Sequence, residues 1–105
     1  MPRNKIFKEL IFKKRFKSYQ QFHSENRGKI YRTIIDLFKE FEKINNKNLS
    51  ISISANIESI EWTTELTFNR SEYHLLKKDV MPYFEESEDY ETCSEIIKIG
   101  KNLTI

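Results

Sequence analysis

The feature that most constrains this chain is a change of period. Leu49, Ile51, Ile53 and Ala55 alternate with Ser50, Ser52, Ser54 and Asn56, and Ile60, Trp62, Leu66 and Phe68 alternate with Glu61, Thr63, Glu65 and Thr67. A period of two belongs to strands with one dry face and one wet face. The break at Glu58–Ser59 makes the two runs an antiparallel hairpin, about 49–57 and 60–68. A lone hairpin is marginal in water, so other elements must cover its apolar face.

Helical periods flank it. Ile30, Ile34, Leu37, Phe38, Phe41 and Ile44 follow the i, i+4, i+7 spacing of one buried helix face. Arg32 and Asp36 pair across the opposite face, and Asn45–Asn48 is an expected stop. The segment 4–24 also reads as a helix, but Ile6, Phe7, Leu10 and Ile11 point one way and Phe12, Phe16, Tyr19 and Phe22 another. Its stripe shifts at Lys13–Lys14–Arg15, which suggests a bend, and a short strand over 6–12 is the alternative. After the hairpin, Ser71 is the expected N-cap of a helix carrying Tyr73, Leu76, Val80, Tyr83 and Phe84, kinked or restarted at Pro82. Ser87 is the expected cap of a last helix that buries Tyr90, Cys93, Ile96 and Ile97 and stops at Gly100. The expectation is an α+β fold: two N-terminal helices, a hairpin and two C-terminal helices. The 105 residues form one domain, in which 1–26 is a basic aromatic helix or projecting arm.

The net charge of +2 conceals two halves. Residues 1–48 carry 13 Lys/Arg and 5 Asp/Glu, a net of +8; residues 49–105 carry 5 and 11, a net of −6. Lys13, Lys14 and Arg15 interleave with Phe12, Phe16 and Tyr19, whereas Glu85, Glu86, Glu88 and Asp89 open an acidic run that reaches Glu95 without a cation. Opposite poles suit charge-complementary protein contacts, and aromatic and Arg residues are favoured as binding hot spots. The expectation is a small non-catalytic accessory, inhibitor or immunity-type factor. Its contacts are Phe12, Lys13, Lys14, Arg15, Phe16 and Tyr19 on one pole and Glu85, Glu86, Glu88 and Asp89 on the other. Its partner is another protein or a second copy of itself.

Nucleic acid is the alternative partner, because lysines neutralise phosphates and aromatics stack on unpaired bases. The acidic half counts against it. A third reading is a small enzyme, built on carboxylates (Glu58, Glu61 and Glu65, or the acidic run) or on Cys93 with His23 or His74. No glycine-rich phosphate loop or nucleophile elbow occurs, and no zinc-ligand spacing is present. No catalytic residue, metal or cofactor is therefore assigned. One cysteine precludes an internal disulfide, and no apolar run suits a signal peptide or a membrane span. A cytoplasmic setting follows. The Ile, Lys and Asn bias fits AT-rich coding and a bacterial or phage source.

Overall fold

The computed structural model describes residues 5–44 and 48–103. The chain runs strand β1 (Lys5–Phe16), helix α1 (Tyr19–Glu40), strands β2 (Asn48–Ile57) and β3 (Ile60–Asn69), short helix α2 (Met81–Glu86) and helix α3 (Tyr90–Leu103). A 3₁₀ turn at Arg70–Tyr73 and a π-helical turn at Leu76–Val80 lie between β3 and α2. The sheet order is β1-β2-β3, with β1 parallel and β3 antiparallel to β2. Parallel neighbours need a crossover, and α1 supplies it.

The α+β class and the hairpin agree with the sequence pattern, but the first helix does not form over 4–24. Residues 5–16 are a strand, and α1 begins only at Tyr19, capped by the Ser18 hydroxyl that accepts the Gln21 N–H. The reason is tertiary. β2 is the central strand and has a second edge to pair, and β1 satisfies it. The shifting stripe reflects two β-bulges, between Ile6 and Lys8 and between Ile11 and Arg15: the first, one extra residue, swings the alternation to the other sheet face, and the second, two extra residues, keeps it there. Leu10 and Phe16 turn to the core; Ile6 and Ile11 stay exposed.

The core lies between the sheet and the helices. Phe22, Ile30, Ile34, Leu37 and Phe38 of α1, with Phe41, meet Leu49, Ile51, Ile53, Ala55 and Ile57 of β2. The molecule is flat, 44 × 42 × 17 Å, consistent with a single helix layer on a single sheet. The expected stop at Asn45–Asn48 falls largely on residues 45–47, outside the described residues.

The β2–β3 connection is a two-residue turn with Glu58 (φ 53°) and Ser59 (φ 63°) both left-handed, which identifies type I′. Ile60, expected on the apolar face, is exposed because it sits at the turn. After β3, Asn69 rather than Ser71 begins the helical run: its N–H donates to Glu72 Oε1 at 2.8 Å. Pro82 lies in the first turn of α2, immediately after the π-helical turn. A proline there has no N–H to continue the ladder, so the helix restarts as its spacing suggested.

Asp89, not Ser87, caps α3, accepting from the Thr92 N–H at 3.2 Å and hydroxyl at 2.7 Å. The Ser87 hydroxyl instead donates to the Tyr83 and Phe84 carbonyls. The buried face of α3 is Thr92, Cys93, Ile96, Ile99 and Leu103, and Tyr90 and Ile97 are exposed. Gly100 does not end the helix. It is where the Tyr73 ring crosses α3: a Cβ at Gly100 would lie 2.5 Å from the Tyr73 ring, and the Tyr73 hydroxyl donates to the Ile96 carbonyl at 2.6 Å.

Candidate interaction surfaces

The basic segment is divided by the strand it forms. Phe16 is buried and Phe12 half-buried, and both meet Phe22 edge-on with ring centroids 5.1 Å apart. These two aromatics are therefore packing residues. Lys13, Lys14 and Arg15 are exposed around the second bulge. Lys14 Nζ reaches Glu25 Oε1 of α1 at 2.6 Å and lies 5.6 Å from the Phe16 ring centre. That contact is the main reason the Glu25 carboxyl is held below its ordinary pKa. Tyr19, half-exposed, stacks edge-on against His23 at 4.4 Å and Trp62 at 5.3 Å. The C-terminal end of β1 thus presents Lys14 on the helix side, near Phe16 and Glu25, and Lys13 and Arg15 toward the open face of the sheet.

The acidic run is divided too. Glu85, Glu86 and Glu88 are exposed on α2 and the turn after it, where Glu88 has φ 59°. Asp89 is committed to its cap. Glu95 crosses to the basic half of the chain. It accepts from Arg32 Nη1 at 2.6 Å and Nη2 at 3.1 Å, and from Lys39 Nζ at 2.6 Å. The two-pronged guanidinium contact, then Lys39, hold its carboxyl down at about 2 despite partial burial. The Arg32–Asp36 pair expected along the helix is the longer contact, 3.8 Å. Sequence spacing gives no sign of an ion cluster between residues 56 and 63 positions apart.

The two surface poles lie on opposite flanks of α1. Glu25 and Lys29 face β1, with Lys29 Nζ 5.1 Å from the Phe12 ring centre. Arg27, Gly28 and Tyr31 face α2: Arg27 borders Glu86, Tyr83 meets Tyr31 at 5.5 Å, and a Cβ on Gly28 would lie 2.8 Å from the Tyr83 hydroxyl.

The sheet face away from α1 carries Ser50, Ser52, Ser54 and Asn56 beside Glu61, Thr63, Glu65 and Thr67. Ser50 bonds Thr67 at 2.8 Å between hydroxyls. A shallow concavity of about 560 Å³ opens here, bordered by Ile11, Lys13, Ser54, Asn56, Glu61 and Thr63. Asn56 Oδ1 is buried in this region without a hydrogen-bond partner.

Cys93 is buried, and its thiol contacts the Met81 carbonyl at 3.9 Å. Burial, then Glu85 and Asp89, push its pKa up, which disfavours the thiolate. His74 is exposed and lies 3.3 Å from the Ser71 carbonyl, and His23 packs on Tyr19 and Phe22. Among the described residues, no three His, Cys, Asp or Glu side chains are placed to hold a metal ion. No helix among them is long and apolar enough to cross a membrane. Comparison with protein-family models, curated proteins and solved structures finds no match.

Proposed function

We propose that this chain is a small non-catalytic interaction factor that engages another protein through charge-complementary contacts. Its principal contact is the corner formed by Lys13, Lys14, Arg15 and Tyr19. The observation that carries this reading is the division of labour within one segment: Phe12 and Phe16 anchor the strand while the three cations beside them are exposed. Charges held on an anchored strand lose less side-chain and backbone freedom on binding than charges on a loose arm. Glu85, Glu86 and Glu88, beyond α1, form the second pole and take a basic patch on the same or another partner. Packing of Phe12 and Phe16 against Phe22 withdraws two of the three interleaved aromatics from base stacking and leaves Tyr19, which favours protein over nucleic acid.

The test is affinity capture with the immobilised full chain beside a K13E/K14E/R15E variant and an E85K/E86K variant. These positions are exposed, so both variants are expected to unfold at nearly the wild-type denaturant midpoint. Loss of a wild-type partner with either variant, and recovery with a compensating charge reversal on that partner, supports the reading. Identical partner sets across all three proteins refute it. Retention of DNA or RNA that falls steeply with added salt replaces it with the nucleic-acid reading.

A further inference from the structure

The two sheet edges are built differently. The β1 edge has two bulges and exposes Lys5, Lys8, Lys13, Lys14 and Arg15; bulges and edge lysines are the features that keep a strand from pairing further. The β3 edge has neither. Its ten residues pair with β2 in unbroken register from Asn48↔Asn69 to Ile57↔Ile60, and it contains no Lys, Arg or Pro.

The turn fixes which β3 groups are free. A two-residue I′ turn makes Ile57 and Ile60 a hydrogen-bonded pair, so the even-numbered β3 residues bond to β2. Glu61, Thr63, Glu65 and Thr67 then direct their N–H and C=O groups away from the sheet. The same parity sends the Glu58 N–H toward β1, where it meets the Phe16 carbonyl at 2.9 Å. The side chains agree. Ala55, Ile51 and Leu49 are buried on the helix-facing side, whereas their partners Trp62, Leu66 and Phe68 are only half-buried. On the open side every charge between residues 49 and 69 is negative: Glu58, Glu61 and Glu65.

We propose that β3 accepts a fourth, antiparallel strand from a partner protein, with Lys or Arg opposite Glu61 and Glu65 and apolar residues at alternate positions beside Trp62 and Leu66. Main-chain bonds to residues 61, 63, 65 and 67 provide the pairing, and the cations at positions four apart set the register. A second copy fits less well, because its β3 adds only further glutamates and its β1 is interrupted by bulges. The free edge of β3 lies on the far side of the sheet's open face from Lys13 and Arg15, with β2 between them.

The probe is the peptide acetyl-Val-Lys-Val-Thr-Val-Lys-Val-Thr-amide, titrated into the full chain. Trp62 is the one tryptophan and lies on β3, so its fluorescence reports occupancy directly. Amide exchange by NMR is expected to slow at Glu61, Thr63, Glu65 and Thr67. Replacing both peptide lysines by glutamate weakens binding about fivefold, and E61K/E65K inverts the preference. T63P removes an outward N–H without breaking a bond to β2 and abolishes binding, while E85K/E86K on α2 leaves it unchanged. No protection at millimolar peptide, equal binding of both peptides, or protection at β1 instead overturns the proposal. So does a dimer in which β3 is already protected.

Discussion

Replacing Glu95 by Gln removes the carboxylate that joins the two halves of the chain but keeps the side chain's size and one hydrogen-bonding oxygen. In the native protein that carboxylate faces Arg32 and Lys39 at 2.6 Å each. Its depression from 4.5 to about 2 corresponds to roughly 3 kcal/mol at about 1.36 kcal/mol per pH unit. The cluster is partly wet: Glu95 is 33% exposed, Arg32 41% and Lys39 37%. Solvent screening therefore reduces the expected loss to about 1 kcal/mol at pH 7. The sign follows from the depressed pKa. The stabilisation is complete above the unfolded value of 4.5 and fades as pH falls toward 2, where the folded carboxyl takes up its proton. Urea unfolding of wild type and E95Q at pH 7, 4 and 2.5 measures this directly. The midpoints are expected to differ at pH 7 and converge at pH 2.5. Equal midpoints at pH 7, or a difference as large at pH 2.5 as at pH 7, would show that ionisation of Glu95 does not contribute to stability.

Other perturbations address the packing. G100A forces the Tyr73 ring off α3, since the new Cβ would lie 2.5 Å from it; a loss of about 1–3 kcal/mol in urea unfolding is expected. Changing Glu58-Ser59 to Asn-Gly suits the two positive φ angles and is expected to raise stability by about 1 kcal/mol with the register of β2 and β3 unchanged by NMR. F16A, in the core beside Phe22, costs about 3–5 kcal/mol, which distinguishes an anchoring residue from an exposed contact that would lose only binding. The Cys93 thiol is buried with a raised pKa, so an aromatic disulfide reagent at pH 8 reacts at the rate of opening and becomes fast only in denaturant.

Where one residue pattern carried one periodicity, the sequence was a good guide. Leu49 to Phe68 alternates because β2 and β3 each have one side against the helices, and Ile30 to Phe41 repeats at helical spacing because one stripe of α1 faces the sheet. The N-terminal segment carried two patterns at once. One extra residue between Ile6 and Lys8 moves the core-facing set to the other parity, and two more are inserted between Ile11 and Arg15, so neither period of two nor period of 3.6 emerges. At the other end, the side of α3 that meets α2 and α1 takes Ile99 rather than Ile97 into the core. The proposed contacts divided in the same way: charges remained at the surface as their type requires, while Phe12 and Phe16 were taken by packing with Phe22.

The sequence by itself determined what depends on neighbours a few positions apart: the hairpin and its turn, the amphipathic face of α1, the restart at Pro82 and the uneven charge of the two halves. Tertiary structure decided what depends on groups distant along the chain. β1 is a strand because β2 has an edge to fill. Glu95 belongs with Arg32 and Lys39 because α3 lies beside α1. Gly100 serves Tyr73 rather than the end of a helix. Local pattern records which side of an element avoids water; which element it meets there is fixed only when the whole chain satisfies its backbone bonds and buries its apolar faces together.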